Sequence, residues 1–131
     1  MKYLLDTNIC IHLLKKKEKS LIRKITYFSA SDFSICSIVK AELLTGAKKS
    51  QNVSENIKML SSFFGMIESL PFDDFAAEFY STTRSILEKS GEPIGPNDLF
   101  IASIALSNEL TLITRNYNEF KKVPGLLLEN W

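Results

Sequence analysis

The sequence predicts an α/β fold, a three-layer sandwich in which a central, mainly parallel sheet lies between two layers of helices. Short apolar runs alternate with segments of helical periodicity along all 131 residues. This alternation is typical of parallel strands that are joined by helices. The composition, 45% hydrophobic and 24% charged, excludes a disordered or fibrous chain. We expect one domain that spans residues 1–131, a natural size for a single core.

The first strand and the first helix meet at an acidic residue. The apolar run Lys2–Leu5 predicts a strand, and Asp6 follows it with Thr7 and Asn8. Aspartate, threonine and asparagine are residue types that begin helices. A short helix therefore follows Asp6, and the apolar spacing over residues 21–28 indicates a second helix.

The middle of the chain repeats this strand-to-helix pattern. Residues Phe33–Cys36 are predicted to form the second strand, and Ser37 to cap a helix that Gly46 closes. Residues 53–64 have helical periodicity. The run Met66–Leu70 predicts the third strand.

The last third contains two helices and two strands. A long helix begins at Asp73 or the aspartate after it, and Pro96 occupies the first position of another helix. Asn108 is expected to end that helix in the left-handed conformation. We predict the fourth strand at Leu110–Thr114 and the last strand at Leu126–Leu128.

Charge and cysteine content say more about the cellular location of the protein than about its binding partners. The formal net charge is +1, and no apolar run reaches the roughly 20 residues of a membrane span. An acid at position 6 precedes any signal-peptide region, and Cys10 and Cys36 have neither zinc spacing nor a disulfide framework. We expect a reducing, cytoplasmic location. The basic run at residues 15–24 either contacts phosphates or is a solvated helix end.

Four polar side chains are expected at the carboxyl edge of the sheet, where parallel α/β proteins bind ligands. They are Asp6, Glu42, Asp98 and Asn116. Carboxylates brought close together repel each other unless a cation lies between them, and Mg²⁺ or Mn²⁺ prefers such oxygen ligands. A cation of this kind lowers the pKa of water and orients phosphate. The pattern therefore favours metal-dependent hydrolysis of a phosphodiester.

Each acid also has a structural alternative. Asp6 would cap its helix, and Asp98 would complement the helix dipole. Glu42 lies between apolar neighbours and needs a partner if it is buried, although a solvated face is the alternative. For His12 we expect packing or surface exposure rather than catalysis, and for Cys10 a place in the core.

Two further sets of residues are candidates for supporting roles. Hydroxyl and amide groups near the acids either orient the carboxylates or cap helices, namely Thr7, Asn8, Ser37 and Thr114. Four cations are candidates for a groove that contacts phosphates, namely Arg84, Arg115, Lys121 and Lys122. Arg84 is equally consistent with an ordinary surface position on a helix.

Four segments, in this order, carry a resemblance to a known family. They are Leu4–Asn8, Ser37–Gly46, Ile94–Asp98 with Ile101 and Ala102, and Leu112–Asn116 continuing through Glu119 and Phe120 to Val123–Leu126. Together they resemble the PIN-domain ribonucleases, specifically the VapC-type toxins of bacterial toxin–antitoxin pairs. The resemblance covers nearly the whole chain.

The resemblance implies a metal-dependent endoribonuclease in which Asp6, Glu42 and Asp98 bind Mg²⁺ or Mn²⁺ and carry catalysis. The fourth position of the family is often Asp but is Asn116 here. Asparagine offers a neutral oxygen and no base, so either Glu119 compensates or Asn116 holds a water or a neighbouring group. The departure weakens the case for a second tightly held metal.

The resemblance also implies substrates and partners. Members cut structured cellular RNA, often transfer RNA, and so stop translation. They form homodimers and are neutralised by a cognate VapB-type antitoxin, through which they contact operator DNA. A catalytically degenerate binding module is the alternative. A phosphatase of the haloacid dehalogenase type is disfavoured, because position 8 is Asn rather than a second Asp.

Overall fold

A five-stranded parallel sheet forms the centre of the protein. The computed structural model describes residues 1–131. The strands are β1 (Tyr3–Leu5), β2 (Phe33–Cys36), β3 (Glu68–Leu70), β4 (Thr111–Ile113) and β5 (Leu128–Glu129). Their order in the sheet is β3-β2-β1-β4-β5, and every neighbouring pair is parallel. The predicted parallel α/β class is confirmed.

Seven helices connect the strands. They are α1 (Thr7–Lys15), α2 (Lys19–Tyr27), α3 (Ser37–Lys48), α4 (Val53–Phe64), α5 (Asp74–Lys89), α6 (Pro96–Ser107) and α7 (Tyr117–Phe120). A short 3-10 turn at Ala30–Asp32 leads into β2. A membrane-spanning helix needs a long, uninterrupted apolar stretch, and none of these seven helices contains one.

The sheet is covered on both faces. Every residue of β1 and β2 is buried, although their side chains alternate between the two faces. Burial on both sides is typical of parallel sheets that lie between helical layers. Helix α6 supplies much of this cover, since six of its twelve residues are buried. The protein therefore has the three-layer arrangement that the sequence predicts.

Both cysteines lie in the core as free thiols. Burial raises the pKa of the Cys10 thiol, and it raises the pKa of Cys36 to about 11. A thiol that stays protonated is a poor nucleophile. The expected core position of Cys10 is confirmed.

An aromatic cluster packs Trp131 against the first two strands. Its ring centroid lies 5.0 Å from that of Tyr3, 5.6 Å from that of Phe28 and 5.8 Å from that of Phe33. The Phe28 contact is stacked and the other two are edge-on, as aromatic pairs prefer. The segment after β5 is thereby attached to the body of the protein.

The end of α6 differs from the prediction at Asn108. This residue has φ −102° rather than a left-handed conformation, and Glu109 has the positive φ of 54°. The amides of Glu109 and Leu110 bond to the carbonyls of Leu106 and Ala105, which is the Schellman pattern. The Asn108 side chain instead donates to the Ile104 carbonyl at 2.8 Å. The left-handed residue is thus one position later than expected.

Several further boundaries differ from the prediction. Strand β1 begins at Tyr3 rather than Lys2, β3 begins at Glu68 rather than Met66, and β4 spans Thr111–Ile113 rather than Leu110–Thr114, because the residue pairs of the sheet do not include the outer residues of these runs.

Helix α3 continues through Gly46 to Lys48, because a glycine inside a helix is tolerated when the neighbouring turns are formed. Ser37 is the first residue of α3 rather than its cap, and Cys36 takes the cap position. Strand β5 begins two residues after Leu126, because a turn at Gly125, with φ 78°, lengthens the preceding loop.

Candidate active site

The site lies where β1 and β4 end side by side. Leu5 pairs with Ile113 in the sheet, and the Asp6 amide donates to the Ile113 carbonyl at 3.2 Å. The chain adds β2 and β3 on one side of β1 and places β4 and β5 on the other. A parallel sheet has its ligand crevice at such a reversal of strand order. Asp6 and Thr114 therefore face each other across this crevice.

Asp6 is a buried carboxylate with a defined set of donors. Its side chain caps α1, because Oδ1 accepts a hydrogen bond from the Ile9 backbone amide at 2.9 Å. Its Oδ2 accepts from the Thr114 hydroxyl, which in turn accepts from the Asn116 amide at 3.0 Å. The capping alternative for Asp6 is thus correct, and it coexists with a place in the crevice.

Glu42 reaches the same region from the second turn of α3. Its Oε1 accepts from the Thr7 hydroxyl at 2.6 Å, and its Oε2 accepts from the Asn97 amide at 3.4 Å. The side chain is half-buried. Glu42 therefore does not lie on a freely solvated face, and its partners come from α1 and α6.

Asp98 lies in the first turn of α6 and is also half-buried. Its Oδ2 accepts from the Asn116 side-chain amide at 3.4 Å. Burial raises the pKa of Asp98 to about 6, with further contributions from the negative charges of Glu119, Glu42 and Asp6. Asp98 therefore lies in the electrostatic field of three other carboxylates.

The pKa of Asp6 is raised in the same way. Burial is the main cause, and the charge of Glu42 adds to it. The hydrogen bonds from Thr114 and the Ile9 amide act in the opposite direction, because they stabilise the ionised form. The charge of Glu42 thus disfavours the ionisation of both aspartates.

The groups around the crevice are of the chemical type that a hard divalent cation binds, because they carry oxygen atoms. Carboxylate, hydroxyl and amide groups surround the crevice. A cation between the carboxylates would offset the repulsion that, after burial, raises the pKa values of Asp6 and Asp98. No three acidic, histidine or cysteine side chains are arranged so as to hold an ion. Each carboxylate is instead oriented toward a neighbouring hydroxyl or amide group.

The predicted supporting residues divide into two groups. Thr7 and Thr114 bond to Glu42 and Asp6, and Glu119 contributes its charge to Asp98. Asn8 is exposed, and the Ser37 hydroxyl lies 3.5 Å from the Leu70 carbonyl on β3. The structure therefore brings the two threonines and Glu119 to the acids and leaves Asn8 and Ser37 without a bond to them.

Three of the four predicted groove cations are already paired. Arg84 bonds to Glu88 at 2.8 Å on an exposed face of α5. Arg115 bonds to Glu18 at 2.8 Å, and Lys122 lies 3.4 Å from Glu119. Lys121 is exposed. These pairs reduce the charge that each paired cation presents to a polyanion.

Two residues at or near the site are absent from the sequence prediction. Asn97 donates to Glu42 across 55 residues of sequence, and Glu18 bonds to Arg115 across 97 residues. An asparagine in the first turn of a helix has the pattern of a helix start, and Glu18 lies in a lysine-rich run. Neither carries a local signal of its long-range contact. His12 is half-exposed, with Nδ1 3.2 Å from Glu18.

Comparison with known proteins agrees with this architecture. The PIN domain family profile matches residues 3–126. Ribonuclease VapC2 of Rickettsia felis is 39% identical over 132 residues, which cover 100% of this chain and 98% of the relative. The tRNA(fMet)-specific endonuclease VapC of Shigella flexneri is 37% identical, with coverage of 100% and 98%.

Solved structures show the same fold. The crystal structure of DNA-bound VapBC from Salmonella typhimurium has a TM-score of 0.94 and 37% identity, covering 100% of this chain and 98% of that one. The structure of VapBC2 from Rickettsia felis, bound to a promoter DNA fragment, has a TM-score of 0.92, 39% identity and coverage of 100% and 99%. Because profile, relatives and structures align with nearly all of the sequence, the chain belongs to the PIN domain family, among its VapC ribonucleases.

Proposed function

We propose that this chain is a metal-dependent endoribonuclease toxin that cuts structured cellular RNA, with transfer RNA as the substrate class, and so inhibits translation. The observation that carries the proposal is the field of like charge at the end of β1, in which burial and neighbouring carboxylates raise the pKa values of Asp6 and Asp98. Relatives of similar length are named as ribonucleases, one of them specific for tRNA(fMet). Residues 1–131 would form one such domain.

The proposed roles follow from the contacts of each acid. Asp6 and Asp98 would hold the cation directly. Asp6 is buried, Asp98 is half-buried, and the two are close enough for the charge of Asp6 to raise the pKa of Asp98. Glu42 would either hold the cation or accept a proton from the attacking water. Asn116 orients Asp98 through its amide, and Glu119 is the nearest alternative for the fourth position.

The bound cation would be Mg²⁺ or Mn²⁺, and PIN-domain ribonucleases generally use divalent metal ions. When bound, it activates water, orients the phosphate and offsets charge on the leaving oxygen. The chain's own part is to orient the carboxylates and to favour the ionised form of Asp6. Thr114 does both for Asp6, because its hydrogen bond lowers the pKa of that carboxyl, and Thr7 orients Glu42.

Substrate and partner contacts complete the proposal. The RNA path would be lined by Arg84, Arg115, Lys121 and Lys122. Lys121 is exposed, whereas each of the other three forms an ion pair with a glutamate. A VapB-type antitoxin would neutralise the toxin, since the solved relatives are VapBC complexes bound to DNA. Contact with operator DNA only through the antitoxin, and a homodimer, are proposed from the family resemblance. Because the RNA substrate is cytoplasmic, the activity requires a cytoplasmic protein.

The test uses purified, antitoxin-free protein, total cellular RNA and Mn²⁺, with mapping of the new RNA ends. Discrete cleavage that stops on addition of a chelator is expected. Asp98→Asn is the matched variant, because it keeps the size of the side chain and removes the charge. We expect it to abolish cleavage while circular dichroism stays that of the wild type.

Two outcomes would contradict the proposal. An unchanged cleavage rate in Asp98→Asn would exclude the mechanism. Tight binding of a VapB-type antitoxin without any metal-dependent cleavage would instead identify a binding module, in which Asn116 marks the loss of the fourth acid.

A further inference from the structure

Glu18, in the connection between α1 and α2, contacts two separate parts of the protein. Its Oε1 accepts from Arg115 Nη1 at 2.8 Å. Its Oε2 is buried and has no hydrogen-bond partner, and it lies 3.2 Å from His12 Nδ1, which is an ion-pair distance when the imidazole is protonated. Glu18 therefore joins the middle of α1 to the segment that follows β4.

Arg115 is the central residue of that segment. Thr114, immediately before it, donates to Asp6, and Asn116, immediately after it, donates to Asp98. The guanidinium also bonds to the Trp131 carbonyl at 3.3 Å. The Arg115 side chain is therefore held from two directions, while its two neighbours bond to Asp6 and Asp98.

These contacts form a closed path through the structure. Asp6 caps α1, and His12 on the same helix lies against Glu18. Glu18 binds Arg115, and the residue before Arg115 bonds to Asp6 again. The last step of this path is the Thr114 bond to Asp6. A shift of either element alone would stretch the path at one of these contacts.

We propose that Glu18 is a positioning residue, whose ion pair with Arg115 holds residues 114–116 against Asp6 and Asp98. Its effect on RNA cleavage rests on the proposed ribonuclease function, whereas the positioning itself does not. Misplacement of a supporting group by about 1 Å is enough to reduce turnover about 100-fold. The contribution of Glu18 is expected in turnover rather than in substrate binding, because the residues on either side of Arg115 bond to the two acids that are proposed to hold the cation.

The Arg84–Glu88 pair offers a matched control. It has the same 2.8 Å separation, but its side chains are 56% and 57% exposed and both belong to α5. The Arg115–Glu18 side chains are 31% and 35% exposed and join distant elements. Ion pairs near the surface add little to global stability. A specific local effect of Glu18 is therefore separable from the general loss of an ion pair.

The first experiment is amide hydrogen exchange on the metal-free protein. Glu18→Ala should raise the exchange rate of the Asn116 backbone amide, which donates to the Thr114 hydroxyl, by about tenfold. The Ile9 amide, which donates to Asp6, should follow it. Glu88→Gln should leave both rates unchanged. Glu18→Gln is the second variant if Glu18→Ala does not fold, and it should give a smaller increase in the same amides.

The second measurement is the coupling between Glu18 and Arg115. If they act as one unit, the double variant Glu18→Ala/Arg115→Ala should exchange at Asn116 no faster than either single variant. If the increase in the Asn116 exchange rate in the double variant equals the product of the increases in the two single variants, the residues contribute independently and the proposal is overturned. Unchanged Asn116 exchange in both Glu18 variants would also overturn it.

The third measurement is RNA cleavage by the Glu18 variants. Glu18→Ala should lower kcat by about tenfold and leave KM within about twofold, and Glu18→Gln should recover part of the loss. A rise in KM with unchanged kcat would contradict positioning. If the wild type does not cleave RNA while Asn116 exchange responds as expected, the proposed function fails and the positioning of residues 114–116 stands.

Discussion

The Thr114 hydroxyl donates to the Asp6 carboxylate, although the two residues are 108 positions apart in sequence. Thr114 is fully buried, and its oxygen also accepts from the Asn116 amide at 3.0 Å. The hydrogen bond lowers the pKa of Asp6, whose burial raises it. One hydroxyl thus joins the ends of β1 and β4 and favours the ionised form of a buried acid.

Replacement of Thr114 by valine tests this role, because valine has nearly the same shape and no hydroxyl. Asp6 Oδ2 and the Asn116 amide would each lose a partner, and we expect a loss of about 1–3 kcal/mol in the free energy of unfolding. The pKa of Asp6 should rise further. Urea denaturation and NMR titration of the carboxyl carbon measure the two effects. Thr114→Ser should restore most of both, and equal behaviour of the two variants would contradict the assignment.

The raised pKa of Asp98, about 6, predicts a pH-dependent stability of the metal-free protein. A carboxyl whose pKa is higher in the folded state prefers the protonated form there. Ionised Asp98 therefore destabilises the fold above pH 6, and this cost disappears as the pH falls through 6 toward the unfolded value of 3.8.

Asp98→Asn removes that cost. Since the side chain is half-buried and partly screened, we expect the variant to be about 1–2 kcal/mol more stable than the wild type at pH 7.5. The difference should vanish near pH 4. Thermal melts without metal from pH 4 to 8 measure it, with Asp74→Asn on α5 as the control. A difference that is independent of pH would argue against the electrostatic origin.

Thr7 is expected to orient Glu42. Its hydroxyl lies 2.6 Å from Glu42 Oε1, whereas the other oxygen has only the longer Asn97 contact at 3.4 Å. Thr7→Val should lower RNA cleavage by roughly tenfold, because in the proposed function Glu42 must be oriented either to hold the cation or to accept a proton. Thr7→Ser should remain close to the wild type. Steady-state kinetics with Mn²⁺ compares them, and a Thr7→Val enzyme with full activity would exclude this role.

Trp131 is expected to contribute strongly to stability through its contacts with Tyr3, Phe28 and Phe33. Trp131→Ala should lower the free energy of unfolding by about 2–4 kcal/mol, because it removes a large ring from the aromatic cluster. Tyr27→Ala is the control, since this ring is 84% exposed, and it should cost less than about 1 kcal/mol. Chemical denaturation measures both, and similar values would contradict the packing role.

The sequence was sufficient for the elements that have strong local signals. The five strands and the longer helices follow from apolar periodicity and from residues such as Pro96, which begins α6 as expected. Helix α7, with only four residues, is too short for periodicity to reveal. The end of α3 was missed, and the left-handed residue after α6 was placed one position too early, because hydrogen bonds formed over the last turn, and not the glycine or asparagine itself, decide how a helix ends.

The site was predictable where chemistry and strand ends coincide. Asp6 and Thr114 follow neighbouring strands, so their proximity can be inferred from parallel pairing alone. The partner of Arg115 could not be inferred, because Glu18 lies in a loop that only the packing of α1 brings near β4. The same holds for Asn97 and Glu42, whose contact depends on how α6 lies against α3.

The position of β4 between β1 and β5 has a consequence for biosynthesis. A ribosome that has made residues 1–107 has already produced Asp6, Glu42 and Asp98, yet the edge of β1 still lacks its neighbour and Asp6 lacks the Thr114 hydroxyl. A nascent polypeptide of that length would hold the three acids without the strand that completes their crevice. The translating cell would therefore meet a competent catalyst only after the last strands emerge from the exit tunnel.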